Sequence, residues 1–132
     1  MSTANAAVHW ATTWRRAWEA LDLESIVALY APAAAFSSQP FRDVYRGRDG
    51  VREYVSGAFA DESEVRAWFG EPIVEGDRAS IEWWAALREA DEEVTLAGTS
   101  VLRFDADGLV TDQRDTWNLT VDRRDPPDGW GR

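Results

Sequence analysis

Residues 94–119 read VTLAGTSVLRFDADGLVTDQRDTWNL, two strand-like runs joined by one tight turn. The runs Val94–Phe104 and Leu109–Leu119 are rich in β-branched and aromatic residues, which favour strands. Between them, Asp105–Gly108 contains an Asp-Gly pair, which tolerates the positive φ angles that close a hairpin. The stretch therefore predicts a long antiparallel hairpin, and the rest of the chain can be placed around it.

Upstream of the hairpin, an aromatic stripe marks a first helix over about residues 6–21. Trp10, Trp14 and Trp18 recur at i, i+4 and i+8, so their indoles share one helix face. A helix that carries so much aromatic surface must bury it. The stripe can serve as core packing, or one or two of the rings can line a ligand cavity.

Two further helices are predicted in the first sixty residues. Asp22 is a candidate N-cap of a short second helix, with Tyr30 on its buried side and Pro32 just past its end. A third helix starts at Gly47 and carries Tyr54 on its apolar side.

The second half of the chain changes to strand-like patterns. Besides the hairpin, strands are predicted at Phe36–Ser37, Val65–Phe69, Ile73–Glu75 and Ala79–Arg88, the last ending in an acidic hairpin tip, Glu89–Glu93. Helices followed by a run of antiparallel strands indicate an α+β domain with helices packed on one sheet face. We expect one domain over residues 1–120 and a tail over residues 121–132 that is rich in proline, aspartate and arginine.

The charge balance limits the partners. The formal net charge of −10 disfavours a nucleic-acid partner, because the phosphate backbone would be repelled. No apolar run approaches the roughly 20 residues of a membrane span. We expect a cytoplasmic protein without a membrane or nucleic-acid partner.

The missing residue types limit the chemistry. There is no cysteine, so disulfides, thiolate nucleophiles and cysteine metal sites are excluded. All 14 basic residues are arginine, which excludes a lysine Schiff base, and His9 is the single histidine. Carboxylate, hydroxyl, amide and indole groups remain, and we expect neither a metal nor a cofactor.

Several segments together resemble one family. The segments are DLESIVALY at 22–30, YRGRDGV at 45–51, GTSVLRF at 98–104, DGLV at 107–110 and RDTW at 114–117. In order and spacing they resemble the nuclear transport factor 2-like (SnoaL-like) superfamily over about residues 6–120. The resemblance implies a cone-shaped α+β barrel, with three helices against a strongly curved, mainly antiparallel sheet and a deep apolar pocket between them. It also implies a homodimer through the outer sheet face.

Within that superfamily the first half looks most like ketosteroid isomerase. The resemblance places Trp14 where the isomerase has its oxyanion-hole tyrosine and Ser38 where it has its general-base aspartate. It places Ser100 where the isomerase has a neutral aspartic acid, a residue that serves as a standard example of a carboxyl group held protonated in an apolar site. All three catalytic groups are missing, which argues against steroid isomerisation by that mechanism.

Strand parity predicts which side chains face the pocket, because alternate residues share a face. If Ser100 points inward, as the resemblance implies, Gln113, Asp115 and Trp117 do so too. For the strand Ala79–Arg88 we expect an inward set containing Glu82 and Trp84, and an outer, dimer-forming set of Ile81, Trp83, Ala85 and Leu87. The candidate ligand-binding residues are then Trp14, Trp18, Ser38, Tyr54, Trp84, Ser100, Gln113 and Trp117.

Asp115 is the main catalytic candidate, with Glu82 as a second carboxyl group. A carboxyl among indoles loses solvation, which raises its pKa towards neutrality and suits it to proton transfer. Alternatively, Asp115 pairs with an arginine or caps backbone amides.

Three functions follow from this site. The first is cofactor-free acid–base catalysis on an apolar small molecule, of isomerase, dehydratase, cyclase or epoxide hydrolase type. The second is a non-catalytic ligand-binding module. The third is a dimerisation module whose pocket is filled by its own side chains.

Overall fold

The structure, a computed structural model, describes residues 1–132 as three helices and seven strands. In chain order these are α1 (Thr3–Ala20), α2 (Leu23–Val27), β1 (Tyr30–Ser37), β2 (Tyr45–Arg46), α3 (Gly47–Phe59), β3 (Glu62–Phe69), β4 (Ile73–Glu75), β5 (Arg78–Glu89), β6 (Glu92–Phe104) and β7 (Val110–Thr120). The predicted α+β class is confirmed. No helix is long and apolar enough to cross a membrane.

The strands form one mixed sheet in the order β2-β1-β7-β6-β5-β3, with β4 also paired to β5. Only the β1–β7 pair is parallel. The predicted hairpin is confirmed as β6–β7, near the centre of the sheet, with Gly108 at φ 82° in its turn. In this pairing Ser100 lies opposite Asp115, and Gly98 lies opposite Trp117.

The helices pack on the concave face of the sheet. Helix α1 begins at the N-cap Ser2, whose side chain accepts from the Asn5 amide, and it lies against β3 and β5. Helix α2 begins at Asp22, as predicted, and α3 lies against β1. The register shifts in β3 between Ser63 and Arg66, an irregularity of the kind that bends a sheet. The resulting cone has its apolar core between the helices and the sheet.

The predicted end of the second helix is wrong. Tyr30 starts β1 instead of completing a helix, and Pro32 lies within this strand. The β1–β7 register shifts between Tyr30 and Ala35, so Pro32 sits where the ladder is interrupted. A proline, which has no amide hydrogen to donate, is tolerated at such a position.

The predicted orientation of β5 is also wrong. Ile81 lies directly opposite Ser100 in the β5–β6 ladder, and directly opposed residues share a face. The face with Ile81, Trp83, Ala85 and Leu87 is therefore the buried one, whereas Glu82 is exposed. Trp84 lies with Glu82 on the outer face, by the alternation of the strand. This removes the argument for a dimer based on an apolar outer face, and the homodimer stays a prediction.

The C-terminal tail packs on the outer face of its own sheet. The indole of Trp84 donates to the carbonyl oxygen of Arg124 at 2.8 Å and meets the ring of Trp130 edge to face. The Glu71 amide donates to the Gly131 carbonyl oxygen at 2.7 Å. The tail thus covers Trp84, and Trp130 lies away from the concave face.

Candidate functional site

A cavity of about 650 Å³ lies between the helices and the concave sheet face. That volume is typical of small-molecule sites. Its wall contains seven of the ten candidate catalytic and ligand-binding residues: Trp14, Trp18, Tyr54, Ser100, Gln113, Asp115 and Trp117. Glu82 and Trp84 do not contribute to it, because β5 presents its other face.

Ser100, Gln113 and Asp115 form a hydrogen-bonded group in this wall, here named the polar cluster. Ser100 Oγ donates to Asp115 Oδ1 at 2.6 Å. Gln113 Nε2 donates to the same oxygen at 3.0 Å and to Oδ2 at 3.2 Å. Asp115 therefore has neutral side-chain donors and no arginine partner, and it does not cap backbone amides.

A row of buried donors fixes the orientation of Gln113. The indoles of Trp10 and Trp14 donate to the Tyr30 hydroxyl at 3.4 and 3.1 Å. Because that oxygen accepts both, its own hydrogen goes to Gln113 Oε1. The amide of Gln113 is thereby turned so that its NH₂ group faces Asp115. The tryptophan stripe thus both packs the core and orients the polar cluster.

Asp115 has the electrostatics expected of a proton-transfer group. Its side chain is only 8% exposed, and burial raises its pKa to about 7 even though Ser100 and Gln113 partly counteract this. Desolvation dominates because neutral donors stabilise a carboxylate less than a cation would. At neutral pH both protonation states are therefore well populated.

Trp83 is a site residue that the sequence reasoning missed. Its indole donates to Ser100 Oγ at 3.0 Å, which leaves the Ser100 hydrogen for Asp115. The error came from the orientation of β5. The signal that could have found Trp83 is the apolar alternation of Ile81, Trp83 and Ala85, which is typical of a core-facing side.

Glu62 is a second carboxyl group in the cavity wall, and it too was missed. Its Oε1 accepts from the Trp18 indole at 2.7 Å. Burial raises the pKa of Glu62 to about 7, opposed by the Trp18 hydrogen bond and reinforced by the nearby Glu89. The predicted strand began only at Val65, so strand alternation could not predict whether the side chain of residue 62 points inward or outward.

Ser38 lies fully buried behind the cavity wall. Its carbonyl oxygen accepts from the Trp117 indole at 2.7 Å, whereas its Oγ has no hydrogen-bond partner. The hydroxyl of Tyr54 forms no hydrogen bond with Ser38 Oγ. Burial and the charge of Asp115 raise the pKa of Tyr54, which keeps that hydroxyl protonated as a donor.

Gly98 sets the position of Trp117. A Cβ atom at position 98 would overlap the Thr116 carbonyl oxygen and lie 2.5 Å from Trp117 Cβ. We expect Gly98→Ala to displace Trp117 from the wall and to lower the free energy of unfolding by about 1–3 kcal/mol, the usual cost of overpacking. Chemical denaturation measures this loss. The matched control is Gly57→Ala, because a Cβ there meets nothing within 4 Å; equal losses in the two variants would contradict the close approach.

No three histidine, aspartate or glutamate side chains converge on a point that could hold a metal ion. Arg42 is the one basic residue in the cavity wall, and its guanidinium lies 5.3 Å from the centre of the Trp117 ring.

Comparison with known proteins gives both family and fold. The SnoaL-like domain family matches residues 11–113. The steroid Delta-isomerase of Nocardioides simplex is 30% identical over 93 residues, which cover 70% of this chain and 74% of that protein.

Two solved structures are similar in fold. The crystal structure of RV0760c from Mycobacterium tuberculosis superposes with a TM-score of 0.77 at 17% identity, covering 91% of this chain and 98% of that one. SalBIII, an epoxide hydrolase/cyclase-like enzyme in pyran ring formation of salinomycin, superposes with a TM-score of 0.76 at 19% identity, covering 89% and 95%.

Proposed function

We propose that this chain, which belongs to the SnoaL-like domain family, binds an apolar small molecule and transfers a proton on it without a cofactor. One observation carries the proposal. Asp115 is a buried carboxyl group without a cationic partner, its pKa is about 7, and it faces a cavity walled by indoles. A general base is most effective when its pKa lies close to the working pH.

The cavity supports the binding part of the proposal. Most of its wall is apolar or aromatic, and the polar groups are few and fixed by hydrogen bonds. Such a site recognises a ligand by its apolar body and by one or two polar groups. The cavity of about 650 Å³, whose wall includes Trp14 and Trp117, argues against a pocket filled by its own side chains.

The proposed step is proton abstraction next to a carbonyl group. The Asp115 carboxylate takes the proton from carbon, the electron pair moves onto the carbonyl oxygen, and the Tyr54 hydroxyl donates a hydrogen bond to that oxygen. Protonated Asp115 then returns the proton either to the same carbon or, in a β,γ-unsaturated ketone, to the γ carbon. The electron pair moves back from the oxygen, so that the carbonyl group re-forms and, in the second case, the carbon–carbon double bond shifts into conjugation. Ser100 and Gln113 hold the carboxyl group in place throughout, so no group has to reorganise during the step.

The Nocardioides simplex relative, a steroid Delta-isomerase, favours an isomerase reaction over the other types. The chain lacks the isomerase's neutral acid at Ser100, but Asp115 lies directly opposite on the neighbouring strand. Asp115 on β7 thus places a carboxyl group beside the position where the isomerase has its acid on the strand equivalent to β6. The missing groups at Trp14 and Ser38 mean that the base and the donor would differ from those of the isomerase.

A proton-exchange experiment tests the proposal without knowledge of the natural substrate. The protein is incubated in D₂O with decalone and with a β,γ-unsaturated ketosteroid, and deuterium at the carbons next to the carbonyl is measured by mass spectrometry. We expect exchange above the buffer rate, and formation of a conjugated enone from the steroid. Tryptophan fluorescence titration in parallel measures binding.

A non-catalytic ligand-binding module is the second candidate, favoured by the absence of all three isomerase groups. Saturable fluorescence quenching by the ketones without any deuterium exchange would support it and exclude proton transfer by Asp115.

A further inference from the structure

One end of the cavity carries several carboxyl groups. Glu62 on β3 lies directly opposite Glu89 on β5, and Asp61 precedes Glu62 in the same wall. Glu53 on α3 is a fourth carboxyl group of the cavity wall. Glu53, Asp61 and Glu89 are exposed to solvent, and Glu62 is the partly buried member of the four. Like charges directly opposite each other destabilise a sheet, so the chain retains here an arrangement that lowers its stability.

None of these four carboxyl groups forms an ion pair within the chain. The arginine next to Glu89, Arg88, bonds instead to Glu64 and Glu93. Glu62 receives one donor, the Trp18 indole on Oε1, whereas its other oxygen has no donor and remains accessible to solvent. Carboxylates that leave water normally acquire a cation or further donors.

The adjoining wall suits a cation. Trp14, Trp18 and Trp83 form a continuous series of edge-to-face contacts, with centroid distances of 5.8 Å for both pairs, and all three line the cavity. Indole faces carry negative electrostatic potential and attract ammonium groups.

The same wall holds a further carboxyl group, that of Asp115, to which Ser100 and Gln113 already donate. Asp115 is more than nine-tenths buried in the same wall and also lacks a cation. Five carboxyl groups and one arginine therefore line the cavity: Glu53, Asp61, Glu62, Glu89 and Asp115 against Arg42. With a net charge of −10 on the chain, this cavity concentrates a field that favours cationic ligands.

We propose that the ligand carries an ammonium group, which binds beside Glu62, while its apolar body lies across the tryptophans towards Asp115. The inference rests on the proposed ligand cavity and names the chemical class of its ligand. Phosphorylated and carboxylate-bearing ligands are disfavoured by the same field.

The test uses two probes of the same shape, benzyltrimethylammonium and its neutral carbon analogue neopentylbenzene, with tryptophan fluorescence as the measure of binding. In Glu62→Gln the Oε1 acceptor for Trp18 is kept and only the charge is lost. We expect this variant to bind the ammonium probe about tenfold more weakly, which corresponds to one lost cation–carboxylate contact, and to bind the neutral probe as before.

Glu64→Gln is the matched control, because it removes the same charge from the same strand but from a residue paired with Arg88 outside the cavity. We expect it to leave both affinities unchanged. Affinity for the ammonium probe should rise between about pH 5.5 and pH 8.5, as Glu62 loses its proton, and that of the neutral probe should not. Asp115 loses its proton in the same pH range, so the part of this rise that Glu62→Gln removes is the part that belongs to Glu62. Asp61, Glu89 and Glu53 are the other acidic groups in the cavity wall.

The possible outcomes separate the two proposals. If Glu62→Gln lowers the affinity for both probes equally, or for neither, the ammonium inference is overturned, but the proposal that the cavity binds a ligand still holds. Binding of the neutral probe alone has the same consequence. If neither probe binds the wild-type chain, both proposals fail; if ammonium binding depends on Glu62 but no proton exchange occurs, only the catalytic proposal fails. Circular dichroism checks the fold, and Glu89→Gln, with an expected smaller loss, replaces Glu62→Gln if that variant does not fold.

Discussion

Asp115→Asn is expected to lower kcat/KM for proton transfer by about 10²–10⁴-fold, the range typical for loss of a general base. The amide is almost the same shape as the carboxyl group, so its oxygen can still accept from Ser100 and Gln113. It cannot take up a proton at neutral pH. The variant should therefore fold and bind the ketone but not exchange its hydrogen.

The control for this experiment is Asp112→Asn. Asp112 lies on the same strand, three residues away, and pairs with Arg114 on the outer face. The Asp112→Asn substitution removes one negative charge, as Asp115→Asn does, but at a side chain outside the cavity. We therefore expect kcat/KM to remain unchanged. Exchange at the wild-type rate in Asp115→Asn would remove Asp115 from the mechanism.

The pH dependence of the wild-type reaction gives a second measure of the same group. Since a base acts in its deprotonated form, kcat/KM should rise with pH and reach a plateau above the pKa of Asp115, which is about 7. A carboxyl group with an ordinary pKa would already be on the plateau at pH 5, so a flat profile contradicts the raised pKa.

How far the sequence could predict this protein is clearest along the central hairpin. The Asp-Gly turn and the two alternating runs are local signals, and β6 and β7 form where they indicate. Once Ser100 is taken to point inward, the two-residue alternation of the strands predicts that Gln113 and Asp115 also point inward. These residues lie together because their pairing register is fixed by a tight turn.

The same reasoning failed on β5 because the period alone does not say which of the two faces is inside. Both faces of that strand carry a tryptophan, and the outer one, Trp84, is covered by a tail that follows it by 40 positions in the chain. No sequence pattern close to Trp84 predicts this contact with the tail. Pairing with β6 decides the orientation, since Ile81 must share the face of Ser100.

Glu62 was missed for a different reason. Its side chain bonds to Trp18, which is 44 residues away, and it lies at the irregular start of β3, where Glu64 has φ 52°. A glutamate beside other acidic residues is typical of a solvated loop. Only the three-dimensional packing of α1 against β3 makes it a cavity residue.

Asp115 should also make the wild-type chain less stable as pH rises from about 4 to about 7. Its pKa is 3.8 in the unfolded chain and about 7 in the folded one, so folding is favoured by the proton. The stabilisation is complete below pH 4, is lost as pH rises through the folded pKa, and stays lost above it. A difference of about three pKa units corresponds to about 4 kcal/mol.

Asp115→Asn should remove this contribution, so the variant is expected to unfold at higher urea concentration than the wild type at pH 8 and at the same concentration near pH 4. Glu62 acts in the same direction, whereas Asp22, Glu24, Asp77 and Glu93 have lowered pKa values and lose their stabilisation only in more acidic solution. Asp112→Asn should follow the wild-type curve. If the unfolding curves of Asp115→Asn and the wild type stayed parallel from pH 4 to pH 8, the carboxyl group would be ionised in the folded chain throughout, and burial would not be what poises it for proton transfer.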